Sequence, residues 1–273
     1  MPDLKRRINE ATRYIRTKTA IRPDYAIVLG TGLGGLAKEI KPAVRIPYEL
    51  IPNFRVSTVL GHSGELVVGR LSGKKVVAMN GRIHYYEGYS MDEVTFPTRV
   101  MKFLGAHTLI VSNAVGGMNP FYDRGDIVMI ADHINLMGDN PLIGPNDDSI
   151  GTRFPDMSEP YAKKLIDLTE KVALDLKIKI HKGVFVGVAG PNLETRAEYR
   201  FLRGIGADTV GMSTVPEVLV ARHMDMDVLG LSIVSDICLP DALEPADHRI
   251  ILKAAESAEP KLTKIVKEVL RRL

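Results

Sequence analysis

The sequence predicts an α/β fold: one domain over residues 1–273, with a mixed sheet flanked by helices. Three observations carry this. Apolar strand-like runs alternate with helix-period segments through the C-terminal half. Earlier, residues 58–81 break into β-rich runs separated by Gly-His-Ser-Gly and Ser-Gly-Lys, which read as hairpins. No linker or internal repeat divides the chain.

Taken in order, Leu4, Ile8, Ala11 and Ile15 recur at helical spacing and predict a helix over 3–18. Tyr25 to Leu29 is an apolar run, read as a buried strand, and it ends in GTGLGG at 30–35. Glycine lets a ligand approach the backbone, and successive exposed N–H groups make a nest for phosphate. Thr31 adds a hydroxyl there. Residues 92–105 predict a helix. Thr108 to Ser112 predicts a strand running into a second glycine-rich end, Asn113 to Gly117. Ile127 to Met137 is a further strand. Residues 138–158, rich in Gly, Pro, Asn and Asp, predict a long loop of the kind that forms lids or interfaces. Tyr161 to Leu176 predicts a helix, and Gly183 to Val188 a strand that leads into Glu194. A helix starts near Arg196. Thr209 to Ser213 ends another strand, and Pro216 suits the first turn of the helix after it. Val228 to Val234 is a strand ending at Ser235-Asp236, and a last helix begins near Ala246.

The unusual chemistry gathers at five strand ends: Thr31, Asn113 to Gly117, Glu194, Met212-Ser213 and Ser235-Asp236. In open α/β sheets ligands sit beyond the carboxyl ends of strands, so one site can collect all five. A dinucleotide site is the alternative, because Gly30, Gly32 and Gly35 match that fingerprint. It needs a helix directly after the glycines and an acid closing the next strand. Glu49 has the distance but lies between Pro47 and Pro52.

Composition narrows the class. The chain is 45% hydrophobic, ample for a core, and its net charge of +3 comes without a basic run interleaved with aromatics, so nucleic acid is not implied. The single cysteine, Cys238, excludes an internal disulfide and suits a reducing, cytoplasmic setting. No CxxC or HExxH metal pattern occurs, and no signal peptide or membrane-length apolar run is evident.

Seven stretches then occur in one order: GTGLGG at 30–35, GHSG at 61–64, GRIHYYEGY at 81–89, SNAVGGMNP at 112–120, GPNDDSIGTRFPDMS at 144–158, VAGPNLETRAE at 188–198 and GADTVGMSTVPE at 206–217. On these the chain resembles the purine nucleoside phosphorylases of the trimeric type over nearly its whole length. The resemblance implies the nucleoside phosphorylase fold, with a partly barrel-like sheet, and cleavage of a purine nucleoside by phosphate. It implies no metal and no organic cofactor, phosphate being a co-substrate. It also implies a homotrimer.

By that resemblance Thr31, Arg82, His84, the backbone at Ala114 and Ser213 hold phosphate, with His62 nearby. Arginine suits the task because its fork meets two phosphate oxygens. Tyr86 and Met212 meet the ribose, His248 its 5′-hydroxyl, and Phe154 reaches over the ribose of a neighbouring subunit. Taken alone, Met212 would read as core packing and His248 as a helix-start surface residue. Glu194 accepts from N1–H of a 6-oxopurine, which favours inosine and guanosine. The chain departs from the family pattern in several places. Thr31 replaces serine, Ser235 threonine, Leu193 a phenylalanine against the base, and Phe185 a tyrosine near the sugar. Asp236 stands where the 6-oxopurine enzymes carry asparagine. Protonated by burial, it would donate to N7, and its other oxygen would accept from a 6-amino group. That is the feature of methylthioadenosine phosphorylases, so adenosine or methylthioadenosine is the alternative substrate. A purine-binding protein without turnover is the remaining reading, and the set Arg82, His84 and Glu194 argues against it.

Overall fold

The central strand β5 (Thr108–Gly117) changes neighbours halfway along its length, and the architecture follows from that exchange. In the computed structural model, which describes residues 2–30, 34–58 and 63–273, its first half pairs in parallel with β1 (Tyr25–Leu29). Its last two residues, Gly116 and Gly117, pair instead with β8 (Thr209–Gly211), antiparallel. Its other edge is covered throughout by β9 (Asp227–Ile237). From β8 the sheet continues to β7 (Ile180–Val188), then β6 (Ile127–Leu136), which closes back onto β9. These five strands form a small distorted barrel. An open wing leaves the other side in the order β1, β4 (Lys74–Asn80), β3 (Glu65–Leu71) and β2 (Ala43–Pro47). The expected mixed, partly barrel-like sheet is therefore present.

Helices cover the sheet. Along α1 (Pro2–Lys18) the predicted stripe is buried, with Ile8, Ala11 and Ile15 fully inaccessible. Truncating either isoleucine to alanine would cost about 2–5 kcal/mol. The four-residue α2 (Gly35–Lys38) follows the first glycine loop. Ser90 caps α3 (Met91–Leu104), and Thr195 caps α5 (Arg196–Gly204), each in a capping box with the glutamate three residues on. Pro216 sits in the first turn of α6 (Val215–His223), as the sequence predicts. α4 (Lys163–Asp175) and the long α7 (His248–Arg272) pack together. Among the described residues no helix is long and apolar enough to cross a membrane.

Several expectations change. Among the described residues of 58–81 there is one hairpin, β3–β4, turning at Ser72 and Gly73 with φ of 50° and 84°. The strand β2 has no sequence counterpart. It pairs only with β3, so its terminal proline loses no ladder bond on the open edge. β5 and β9 run straight through the segments read as strand ends. The dinucleotide alternative fails because α2 spans a single turn and Glu49 lies in a 3-10 turn at Tyr48–Leu50, beyond the antiparallel edge strand.

Candidate active site

Where β5 leaves β1 and has not yet met β8, the sheet splits. A cavity of about 850 Å³, counted with its open mouth, occupies the split. It is bordered by Gly30 after β1, by Arg82, His84 and Tyr86 after β4, by Asn113 to Gly116 within β5, and by Leu193 and Glu194 after β7. Met212 and Ser213 after β8, and Ser235 and Asp236 of β9, also border it. Gly30 is required here, since a Cβ would stand 2.8 Å from the Ser112 carbonyl oxygen.

The inner end is held by buried charge. Arg82 is only 1% exposed. Its Nη1 donates to Glu217 Oε1 at 3.1 Å and to Thr214 Oγ1 at 3.2 Å, and its Nη2 donates to the Ser112 carbonyl. Asn113 Nδ2 donates to the same threonine oxygen at 2.8 Å. Thr214 has φ 74° and ψ −52°, an uncommon conformation for a β-branched residue. Val215 N–H returns to the Ser213 carbonyl at 2.8 Å across it. Such a residue costs about 1–3 kcal/mol and persists only where its surroundings over-determine it. Here the donors from Arg82 and Asn113 do so, and the tight turn leaves Ser213 on the cavity wall. One arm of the expected Arg82 fork thus meets Glu217 and the other the Ser112 carbonyl, and Arg82 borders the cavity as one half of an ion pair.

Beside it, Glu87 Oε1 accepts from His84 N–H at 2.7 Å and faces His84 Nδ1 at 3.1 Å. Its Oε2 accepts from Thr58 N–H and Oγ1 at 2.6 and 2.7 Å. Burial disfavours the Glu87 charge, but these hydrogen bonds outweigh it and hold the pKa at about 2. The carboxylate orients the His84 ring, on which Tyr86 stacks with centroids 4.7 Å apart. Burial, then Glu87, pushes the Tyr86 hydroxyl to about 12, so it remains a donor.

The outer end is looser. Along β5–β9 the register runs Val115 with Val234, then Gly116 with Asp236, so Ser235 is an extra residue. Strict alternation would send neighbours to opposite faces, whereas the bulge lets Ser235 and Asp236 both border the cavity. Ser235 keeps its hydroxyl but donates it to the Val115 carbonyl at 3.2 Å. Asp236 Oδ1 accepts from Arg124 Nη2 at 2.8 Å. The sequence reading has Asp236 donating from a buried carboxyl, but the structure provides a cationic partner instead. Burial raises the pKa of Glu194, opposed by its own N–H and by the Tyr199 hydroxyl. Tyr199 also meets the Cys238 thiol, which burial pushes up to about 12. Leu193 is half exposed at the mouth. Met212 packs on Gly190, whose φ of 67° and contact with the Met212 sulfur admit no side chain.

Of the predicted residues, Arg82, His84, Tyr86, Ala114, Leu193, Glu194, Met212, Ser213, Ser235 and Asp236 border this one cavity. Phe185 does not. It is fully buried in the core with its ring against Gly211, because its position on β7 turns it inward. Phe154 stands 84% exposed on the long loop, away from the cavity of its own chain. His248 opens α7, whose next turn brings Ile251 to the cavity wall, but its side chain lies outside the described residues. Thr31 and His62 also lie outside them. Arg124, Thr214, Glu217, Tyr199 and Cys238 were missed, since each has at least one partner distant in sequence. Glu87 alone had a local signal, three residues after His84 within one motif.

A family model for the phosphorylase superfamily matches residues 24–271. Purine nucleoside phosphorylase 1 of Geobacillus stearothermophilus is 50% identical over 97% of each chain. The purine nucleoside phosphorylase of Mus musculus is 47% identical over 93% of this chain and 90% of its own. Among solved structures, Schistosoma mansoni purine nucleoside phosphorylase in complex with adenosine superposes with a TM-score of 0.93 at 42% identity, covering 97% of this chain and 96% of that one. A Schistosoma mansoni purine nucleoside phosphorylase structure in complex with inosine matches with a TM-score of 0.93 at 41% identity, covering 98% of this chain and 96% of that one. With its fold and nearly its whole length shared with these proteins, the chain belongs to the purine nucleoside phosphorylase family of the phosphorylase superfamily.

Proposed function

We propose that this enzyme reversibly cleaves purine ribonucleosides and 2′-deoxyribonucleosides with inorganic phosphate, releasing the base and the pentose 1-phosphate. Inosine and guanosine are the leading substrates. One observation carries this: a single cavity joins an inner wall of Arg82, His84 and Ser213 to an outer wall holding Glu194 and Asp236. A phosphate oxygen bonds to C1′ as the C1′–N9 bond breaks, and the electron pair of that bond passes to the purine. Arg82, His84, Ser213 and the Ala114 backbone hold the phosphate, together with Thr31 and His62. Placing it under C1′ supplies much of the rate. Tyr86, Met212 and His248 contact the sugar. Glu194, as a carboxylate, accepts from N1–H of hypoxanthine or guanine. No metal or organic cofactor enters this scheme, and a reducing cytoplasm suits the lone cysteine.

Phe154 supports a homotrimer. Arg153 donates to the carbonyls of Leu142 and Gly144 at 3.1 and 2.7 Å, stiffening the loop, and the phenylalanine stands out from it. A neighbour's cavity is the place for such a ring.

Adenosine is the second reading, favoured by the Asp236–Arg124 pair. A carboxylate paired in this way can accept from a 6-amino group. Schistosoma mansoni purine nucleoside phosphorylase structures exist in complex with adenosine and in complex with inosine. The test is base release from inosine, guanosine, adenosine and methylthioadenosine, each with and without phosphate. Phosphate-dependent release from inosine and guanosine is expected. Release indifferent to phosphate, or none from any nucleoside, would overturn the proposal.

A further inference from the structure

We infer that Arg124 is a positioning residue for base selection: by fixing Asp236 as an acceptor at the cavity mouth, it gives the site affinity for 6-aminopurines. The inference rests on the proposed function and extends it to a residue outside the cavity wall.

Arg124 sits in the turn between β5 and β6, and that turn is bolted to β9. Gly125 N–H donates to the Val234 carbonyl at 2.7 Å, and Val234 N–H donates to the Asp126 carbonyl at 2.9 Å. Asp126 is itself tied to His181 Nε2 at 2.8 Å and Lys179 Nζ at 3.0 Å. The turn therefore stands at a set height two residues before Asp236. From there Arg124 Nη2 reaches Asp236 Oδ1 at 2.8 Å. Asp236 is 15% exposed and Arg124 39%, so the guanidinium closes the solvent side of the carboxylate.

Among the described residues the other groups lining the cavity beside Asp236 do not supply a cation. Glu194 and Cys238 share its end of the cavity, and Tyr199 bridges those two. Glu244 lies 4.0 Å from Arg124 and is 79% exposed. Without Arg124, Asp236 would be an unmatched carboxylate beside Glu194. With it, the charge is balanced and Oδ1 is occupied, which leaves Oδ2 as the oxygen for a ligand. An ionised carboxylate only accepts. A 6-amino group offers it a hydrogen, while a 6-oxo group offers only lone pairs.

The experiment measures adenine and hypoxanthine binding by calorimetry, with phosphate present, for wild type, Arg124→Leu, Arg124→Lys, Asp236→Asn and the Leu/Asn double variant. The ratio of adenine to hypoxanthine affinity should fall about tenfold in Arg124→Leu, the loss of one charged hydrogen bond. Arg124→Lys should restore part of it. In the Asp236→Asn background Arg124→Leu should leave the ratio unchanged, because coupled residues are not additive. Thermal midpoints should shift little, since the pair is partly exposed. An unchanged ratio in Arg124→Leu, an equal fall in both backgrounds, or no adenine binding by wild type would overturn the inference. Base binding is read without turnover, so failure of phosphorolysis would strike the proposed function separately.

Discussion

The two ends of the cavity are built differently. At the inner end, Arg82 is 1% exposed, its ion pair with Glu217 is dry, and a strained Thr214 is held by two donors. At the outer end Leu193 is half exposed, Asp236 meets a partly solvated arginine, and its strand carries an extra residue. On the proposed function, the groups assigned to the common part of every substrate are locked into the core. The groups assigned to the variable base stand where a side chain can change at little cost to folding. Stability and catalysis should therefore fail together at one end and separate at the other.

The sharpest break is Arg82→Met. It strands Glu217 in the interior, so stability should drop by about 3–5 kcal/mol in urea titration. The kcat/KM should fall by about 10³ or more. Full stability with lost activity would show that the inner end is not a structural unit.

Glu194→Gln comes next. Inosine and guanosine turnover should fall about 100-fold, with the melting temperature nearly unchanged. The wild-type profile carries the same information. On the proposed function the ionised carboxylate accepts from N1–H, so inosine activity should decline as pH falls through the Glu194 carboxyl. Burial raises that group, so the decline starts above the ordinary carboxylate range. The variant should lack this limb, and an identical limb in both proteins would remove Glu194 from base recognition.

Glu87→Gln probes the coupling at the inner end. His84 loses a charged partner, and the KM for phosphate should rise about tenfold. Glu87 also contributes stability that is complete above the ordinary carboxylate value and is lost as pH falls toward about 2. Acid unfolding should start at higher pH in the variant than in wild type. Coincident acid transitions would contradict this.

The smallest effect is expected at Phe154→Ala, which should raise nucleoside KM about 3–10-fold and leave phosphate KM alone. Sedimentation of the wild-type chain as a monomer would remove the neighbour that this ring needs.

Local order was legible wherever it is written in adjacent residues. The stripe Ile8, Ala11, Ile15 predicted α1, the run Tyr25 to Leu29 matched β1, and Pro216 marked the start of α6. β2 escaped because an edge strand pairs on one side and tolerates Pro47. The ends of β5 and β9 were misplaced because their glycines and polar residues, which read as turns, are paired within a barrel. Phe185 was assigned to the sugar, yet the face of β7 on which it lies is core.

The sequence by itself determined which chemical groups exist and roughly where each strand delivers them, since periodicity, caps and glycine loops are short-range. Its strand ends placed Glu194 and Asp236 in one site, and the family resemblance added Arg82 and His84 to it. What those groups touch was decided by the tertiary structure. Arg82 meets Glu217 across 135 residues, and Asp236 meets Arg124 across 112. Such partners leave no local pattern, because only closure of the barrel brings the turn before β6 against the end of β9 and the first turn of α6 beneath β4.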